Sequence, residues 1–179
     1  MKLKKSFSLS NVYQLIEPGP VVMVTTTQKG KANIMTMAWH MMMEFEPPLI
    51  GCIMSEDNYS FSALKKTKEC VINIPTVELV KTVVGVGSTT SSTVDKFKKF
   101  NLTPEPSLYV SPPMIQECYA NLECKVVDTK MVTKYNMFIL EVVKVWITKS
   151  KKKIRTLHHV GNGLFIVDGK QIKLSFKSK

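Results

Sequence analysis

The residues with most chemistry to offer fall in two short clusters. The first is Met35-Thr36-Met37-Ala38-Trp39, followed at once by His40. It sets a hydroxyl, two thioethers and an indole within five positions. Thioethers are polarisable and adapt to irregular or planar surfaces, and an indole offers a flat apolar face with a single N–H donor. The second cluster is Ser55, Asn58, Tyr59 and Ser60, hydroxyls and an amide at the start of a helical pattern. Asn58 is a plausible N-cap for that helix. Lys96 stands just before Phe97, and read by itself it is a solvated lysine. On residue type alone, core packing equally explains the methionines and Trp39, and helix capping equally explains Asn58 and Ser60.

Other chemistries lack their signatures. The sequence contains no GxSxG, no GxxxxGK[ST] and no HExxH, and Gly85-Val86-Gly87-Ser88-Thr89-Thr90 lacks the third glycine of a dinucleotide fingerprint. No catalytic acid, base or nucleophile is assigned. The adjacent His158 and His159 point to opposite sides of an extended chain, which is poor geometry for one metal. Cys52, Cys70, Cys118 and Cys124 form no CxxC pair, so no metal site is expected and buried, reduced thiols are.

The 179 residues are 44% apolar and 22% charged, which suits one globular domain over 1–179, with 149–179 as a C-terminal extension. After Lys4 and Lys5 no apolar stretch follows, and the longest apolar runs fall far short of a membrane span. Cytoplasmic location and no membrane association are the expectations. A formal charge of +11 draws in phosphate-bearing cofactors and acidic redox partners. The lysines are scattered, and the only dense basic run is Lys149 to Lys153, so nucleic-acid binding is not expected.

The elements that must position these residues can be read from pattern. Val21 to Thr26 and Lys31 to Ala38, joined by Gln28-Lys29-Gly30, predict a β-hairpin that delivers the first cluster on its second strand and exit. Pro47-Pro48 introduces a buried strand over 49–54, and Asn58 opens a surface helix from Tyr59 to Lys68 with Phe61 and Leu64 on its apolar face. Cys70 to Ile74 predicts a strand closed by Pro75. Thr76 caps a helix over Val77 to Val84 that Gly85 and Gly87 end, and Val94 to Phe100 forms a further short helix. Long strands are expected from Cys118 to Asp128 and from Tyr135 to Thr148, and Asp168-Gly169 signals a late hairpin turn. Many strands with few helices point to a barrel, not a doubly wound sheet.

Several segments stand in a telling order: Asn33 to Trp39, Glu46-Pro47-Pro48, Asn58-Tyr59-Ser60-Phe61, Cys70-Val71-Ile72-Asn73-Ile74-Pro75, Asp95-Lys96-Phe97 and Ala120-Asn121-Leu122-Glu123-Cys124. Together they resemble the flavin reductase-like family of FMN-binding split barrels, flavoredoxin included. The resemblance implies a mainly β fold, a six-stranded antiparallel barrel of Greek-key type with peripheral helices, and FMN as cofactor. It implies that Met35, Thr36, Met37, Ala38 and Trp39 line the isoalloxazine and ribityl chain. Ser55, Asn58, Tyr59, Ser60 and Lys96 would hold the phosphate, and a homodimer would set the flavin sites near its interface. Many members carry Gly-Asp-His before the late long strand, on the nicotinamide side, where this chain has Lys134-Tyr135-Asn136-Met137. That departure favours the flavoredoxin-like branch, an electron carrier exchanging with a protein partner. The alternatives are an NAD(P)H-dependent flavin reductase and a non-catalytic flavin- or nucleic acid-binding protein.

Overall fold

Branched and apolar runs dictate the strands, and most of them pair. The computed structural model describes residues 4–90, 94–149 and 153–175. Its strands are β1 Lys4–Ser6, β2 Val22–Gln28, β3 Lys31–Met37, β4 His40–Phe45, β5 Pro48–Ile53, β6 Glu69–Ile74, β7 Pro104–Glu105, β8 Met114–Ile115, β9 Ala120–Asp128, β10 Met137–Thr148, β11 Leu157–Gly161 and β12 Leu164–Val167. The helices are α1 Tyr13–Ile16, α2 Tyr59–Thr67, α3 Val80–Gly87, α4 Lys96–Lys99 and α5 Val132–Tyr135. Most of the basic run 149–153 lies outside the described residues.

The main sheet is antiparallel and follows the order β3-β2-β6-β9-β10-β5-β4, with β1 added along β10. β3 and β4 are the two ends of that order, yet only Ala38 and Trp39 separate them in the chain. So short a link reaches about 10 Å. The sheet must therefore curl until its ends lie side by side, forming a barrel split where β3 and β4 meet without a ladder. β5 and β6, consecutive in the chain but three places apart in the sheet, are joined through α2 by the return expected of a Greek key. Eight strands enter the sheet where six were expected, because His40–Phe45 and Lys4–Ser6 also pair.

β2 is buried on both faces, which explains its unbroken apolar character. Val22 and Val24 point into the barrel with Ile50, Ile72, Leu122 and Leu140. Val21, just before the strand, and Met23 point outward into a second core with Ile34, Val83, Val86, Phe97, Ile115 and Leu157. Each such side chain removed from water contributes about 1.5–3 kcal/mol. The second core is what fastens α3, α4 and the β11–β12 hairpin to the outside of the barrel. Between the cores, buried Asn73 donates to Met23 O (3.0 Å) and Val71 O (3.1 Å), and its Oδ1 accepts from Ile115 N (2.9 Å) and Asn121 Nδ2 (2.7 Å). That amide network pins β8 across β6 and β9.

Three local expectations are corrected. Gly85 lies inside α3 instead of ending it, while Gly87 is the last residue of the helix, with Ser88 at the C-cap. Their value is space, since a Cβ on Gly85 would stand 2.5 Å from Phe100 Cε1. Thr76 sits at the start of a 3-10 turn over Val77–Leu79, and its side chain makes no capping bond. The late hairpin turns at Gly161-Asn162-Gly163, all with positive φ, while Asp168 uses its carboxylate to accept from Thr156 N (2.6 Å). The four cysteines are free and buried, with Cys70 and Cys124 facing each other across β6 and β9. Burial pushes the Cys52 thiol up, and the Cys124 hydrogen bond and burial do the same to Cys70. Among the described residues no helix is long and apolar enough to cross a membrane.

Candidate functional site

At the barrel's split the chain leaves β3, passes Ala38 and Trp39, and starts β4. The carbonyl of Trp39 accepts from Ile53 N (3.0 Å), so the link is tied to the end of β5. Its indole is left 71% exposed, which removes the core-packing explanation for this residue. A cleft of about 560 Å³ opens beside it. One wall is Met35 to Trp39, a second is Ile53, Met54, Ser55 and Asn58 from the β5 exit, a third is α3 through Val83, Val84 and Gly87, and a fourth is the β11–β12 hairpin through His159, Gly163 and Phe165. The size and mainly apolar lining match small-molecule sites in general.

A second, polar cleft of about 280 Å³ adjoins it, sharing Met35, Thr36, Asn58, Gly87 and Ser88. Its other groups include Asn33, Asp57, Tyr59, Ser60, Thr89, Thr90 and Lys96. α2 begins here with Asn58 in extended backbone at the N-cap position, and the Asn58 side chain caps none of the helix amides. Phe61 N donates to Asn58 O (2.9 Å), and the first turn beside the cleft has no side-chain cap.

Thr36 stands at the junction. Its Oγ1 donates to Val83 O (2.7 Å), and a Cβ on Gly87 would come within 3.4 Å of Thr36 Cβ, so glycine lets α3 close on β3 here. With its proton committed to Val83, the Thr36 hydroxyl faces a ligand as an acceptor, not as the donor that a flavin N5 or O4 would need. Ser60 is wholly buried, and its Oγ accepts from Asn33 Nδ2 (2.7 Å) and Thr26 Oγ1 (3.3 Å), which leaves the Ser60 proton available for donation. Ser55 Oγ is engaged with Asp57 in a local turn.

Lys96 is not the solvated cation that a surface lysine would be. It is 6% exposed, and its Nζ donates to Ile34 O (2.8 Å) and Val86 O (3.0 Å), joining β3 to the end of α3. Burial lowers its pKa to about 8. The ten sequence-selected residues thus line the two joined clefts: Met37, Ala38, Trp39 and Ser55 the apolar one, Tyr59, Ser60 and Lys96 the polar one, and Met35, Thr36 and Asn58 both.

Sequence reasoning missed Val83, Gly87, Ser88, Asn136, His159 and Phe165. Gly87 and Ser88 carried a usable signal, a small-residue run that the dinucleotide comparison dismissed. His158 and His159 do point to opposite sides, as extended geometry requires. His158 Nδ1 donates to Gly19 O (3.1 Å) beside a separate cavity of about 380 Å³, whereas His159 faces the apolar cleft. His40 donates from Nε2 to Pro20 O (2.7 Å), and burial lowers its pKa. Among the described residues no group of His, Cys, Asp or Glu side chains is placed to hold a metal ion.

The family described as "Flavin reductase like domain" matches residues 16–165 of the chain. An uncharacterised protein of Archaeoglobus fulgidus is 36% identical over 115 residues, 64% of this chain and 65% of that one, so this chain spans just under two thirds of it. Among solved structures, the FMN-binding domain of a flavin reductases-like enzyme from Shewanella baltica superposes with a TM-score of 0.89 at 22% identity, covering 97% of this chain and 98% of that one. Flavoredoxin of Desulfovibrio vulgaris gives 0.79 at 22% identity over 88% and 91%.

Proposed function

The chain belongs to the flavin reductase-like family, and from that premise we propose that it binds FMN and works as a flavoprotein oxidoreductase, exchanging electrons with a redox protein in the manner of the flavoredoxin-like branch. The observation that carries the reading is the joining of an apolar cleft to a polar one at Thr36 and Gly87. A ligand with a flat apolar end, a hydroxylated middle and an anionic end fits that sequence of surfaces. Bound there, the flavin supplies hydride or electron transfer at its ring.

The chain's own residues would do the rest. Met35, Met37, Ala38 and Trp39 hold and shield the ring. The Thr36 oxygen accepts from a ribityl hydroxyl. The start of α2, the Ser60 hydroxyl and the Lys96 ammonium meet the phosphate, while Asp57 is the one carboxylate on that cleft among the described residues and sets a repulsion they must outweigh. No protein acid or base is required for the redox step. The segment 134–137 departs from the family's Gly-Asp-His and places Asn136 on the apolar cleft, which supports a protein partner over direct use of NAD(P)H.

A homodimer is part of the same proposal. Trp39, just before β4, and Met41, Met43 and Phe45 along it leave 71%, 48%, 43% and 56% of their surfaces exposed, and β4 is the terminal strand of the sheet order. Such a stripe suits an interface with a second copy. Four free buried thiols suit a reducing compartment, the cytoplasm. The test is a visible absorbance spectrum of the purified protein before and after anaerobic NADH or NADPH. Flavin bands that bleach only with a chemical reductant or a reduced redox protein support the carrier. Bleaching by nicotinamide supports the reductase instead, and a colourless protein that takes up no added FMN overturns the proposal. Light scattering of the same sample checks the dimer.

A further inference from the structure

The apolar cleft has a wall that the cofactor reading does not use. His159, Gly163 and Phe165 of the β11–β12 hairpin line the apolar cleft but not the polar one, so they lie away from the phosphate end. The hairpin is held there by main-chain bonds, Val21 N to Leu157 O (2.7 Å) and Val77 N to Arg155 O (3.0 Å), and by Leu157 buried in the second core. His159 and Phe165 are cross-strand partners with ring centroids 5.1 Å apart. That contact steadies the imidazole against the cleft and leaves both its nitrogens without a hydrogen-bond partner among the described residues.

A small molecule that exchanges a hydride directly with a bound ring must lie flat against it, with reacting atoms about 3–3.5 Å apart. A ring resting against β3 and the β5 exit would leave the side facing the hairpin for such a molecule. Among the described residues His159 is the only ionisable side chain lining the apolar cleft and no Asp or Glu lines it, and the whole chain carries a formal charge of +11. We propose that His159 is a specificity-determining residue for a second ligand, a planar conjugated molecule bearing an anionic oxygen, which stacks between the flavin ring and Phe165 and accepts a hydrogen bond from the imidazole. The inference rests on the FMN-binding reading.

Benzoate is a suitable probe, being flat, anionic and unreactive, with benzamide as its uncharged counterpart. The FMN-loaded protein is titrated with each, and binding is read from the perturbation of the flavin absorbance bands. Benzoate should bind more tightly than benzamide. His159→Leu should weaken benzoate by about tenfold, the size of one charge-assisted hydrogen bond, and His159→Gln by less, with FMN affinity unchanged in both. Because His159 is exposed, these variants should fold, and equal FMN affinity confirms that the cleft is intact. Benzoate binding that is absent from the wild type, or equal in wild type and His159→Leu, overturns the inference while leaving the cofactor assignment standing. Failure of the wild type to bind FMN overturns both.

Discussion

Raising the pH through the Lys96 titration should weaken FMN while sparing riboflavin. Lys96 is buried on the polar cleft, and its pKa falls from 10.5 to about 8 through desolvation. That shift corresponds to at most about 3 kcal/mol of penalty on the ammonium, less to the extent that water reaches it through the cleft. A phosphate monoester is a dianion above about pH 6, and its presence favours the charged lysine. Binding therefore takes up a proton wherever the free protein has lost one. Affinity is nearly flat between about pH 6 and about pH 8 and then falls, so FMN should bind about tenfold more weakly at about pH 9 than at about pH 7. Without ligand the sign reverses: between about 8 and 10.5 the unfolded chain holds more protons, so the fold gains stability as pH rises through that window. Flavin fluorescence quenching at constant ionic strength measures both ligands. Lys96→Met should flatten the FMN curve. An FMN-to-riboflavin affinity ratio that stays constant from about pH 7 to about pH 9 would refute the placement of the phosphate at Lys96.

Ser60→Ala should weaken FMN more than riboflavin, and should cost about 1 kcal/mol of stability by removing the 2.7 Å hydrogen bond that Ser60 accepts from Asn33 Nδ2; chemical denaturation and the two ligand titrations check each half. Thr36→Val removes the donor to Val83 O, loosening α3 by about 1 kcal/mol. The bound flavin's spectrum should shift and its affinity drop, and an unchanged spectrum with unchanged affinity would dissociate Thr36 from the cofactor. In Gly85→Ala, the new methyl meets Phe100 Cε1 at 2.5 Å, an overpacking cost of about 1–3 kcal/mol. The helix gain of alanine over glycine, about 1 kcal/mol, offsets part of it. A lower melting temperature is expected, and an increase would mean that Phe100 has room to swing away.

The parts of the fold set by local pattern were legible in the chain. The β2–β3 hairpin announced itself through Lys29-Gly30, both at positive φ, and β6, β9, β10 and α2 followed from apolar runs with clear punctuation. β4 was not legible, because His40 to Phe45 reads as a cluster of methionines without alternation; it becomes a strand only by pairing with β5. The late hairpin was mislocated because Asp168-Gly169 is the stronger local signal. There the Asp168 carboxylate has a tertiary use, and the turn falls to Gly161-Asn162-Gly163. At the site, residue types pointed to two stretches of chain that line the joined clefts but not to the states of their groups. That Thr36 spends its proton on α3, and that Lys96 is buried against two carbonyls, depends on helix packing that no spacing encodes.

The same packing explains why the cleft lies where it does. A barrel whose two end strands are joined by two residues cannot complete a ladder there, so the side chains of Ala38 and Trp39 have no facing strand to cover them. What covers this seam comes from outside the barrel: α3, carrying Val83 and Gly87, and the hairpin, carrying His159 and Phe165. Both are held by the second core, built on the outward face of β2 and on Ile34 of β3. Lys96 completes the arrangement by bonding at once to Ile34 O on β3 and Val86 O on α3. The cleft's width is therefore governed by the second core and Lys96, not by the barrel interior. The two-sided burial of β2 is the feature of the sequence from which both the fold and the site descend.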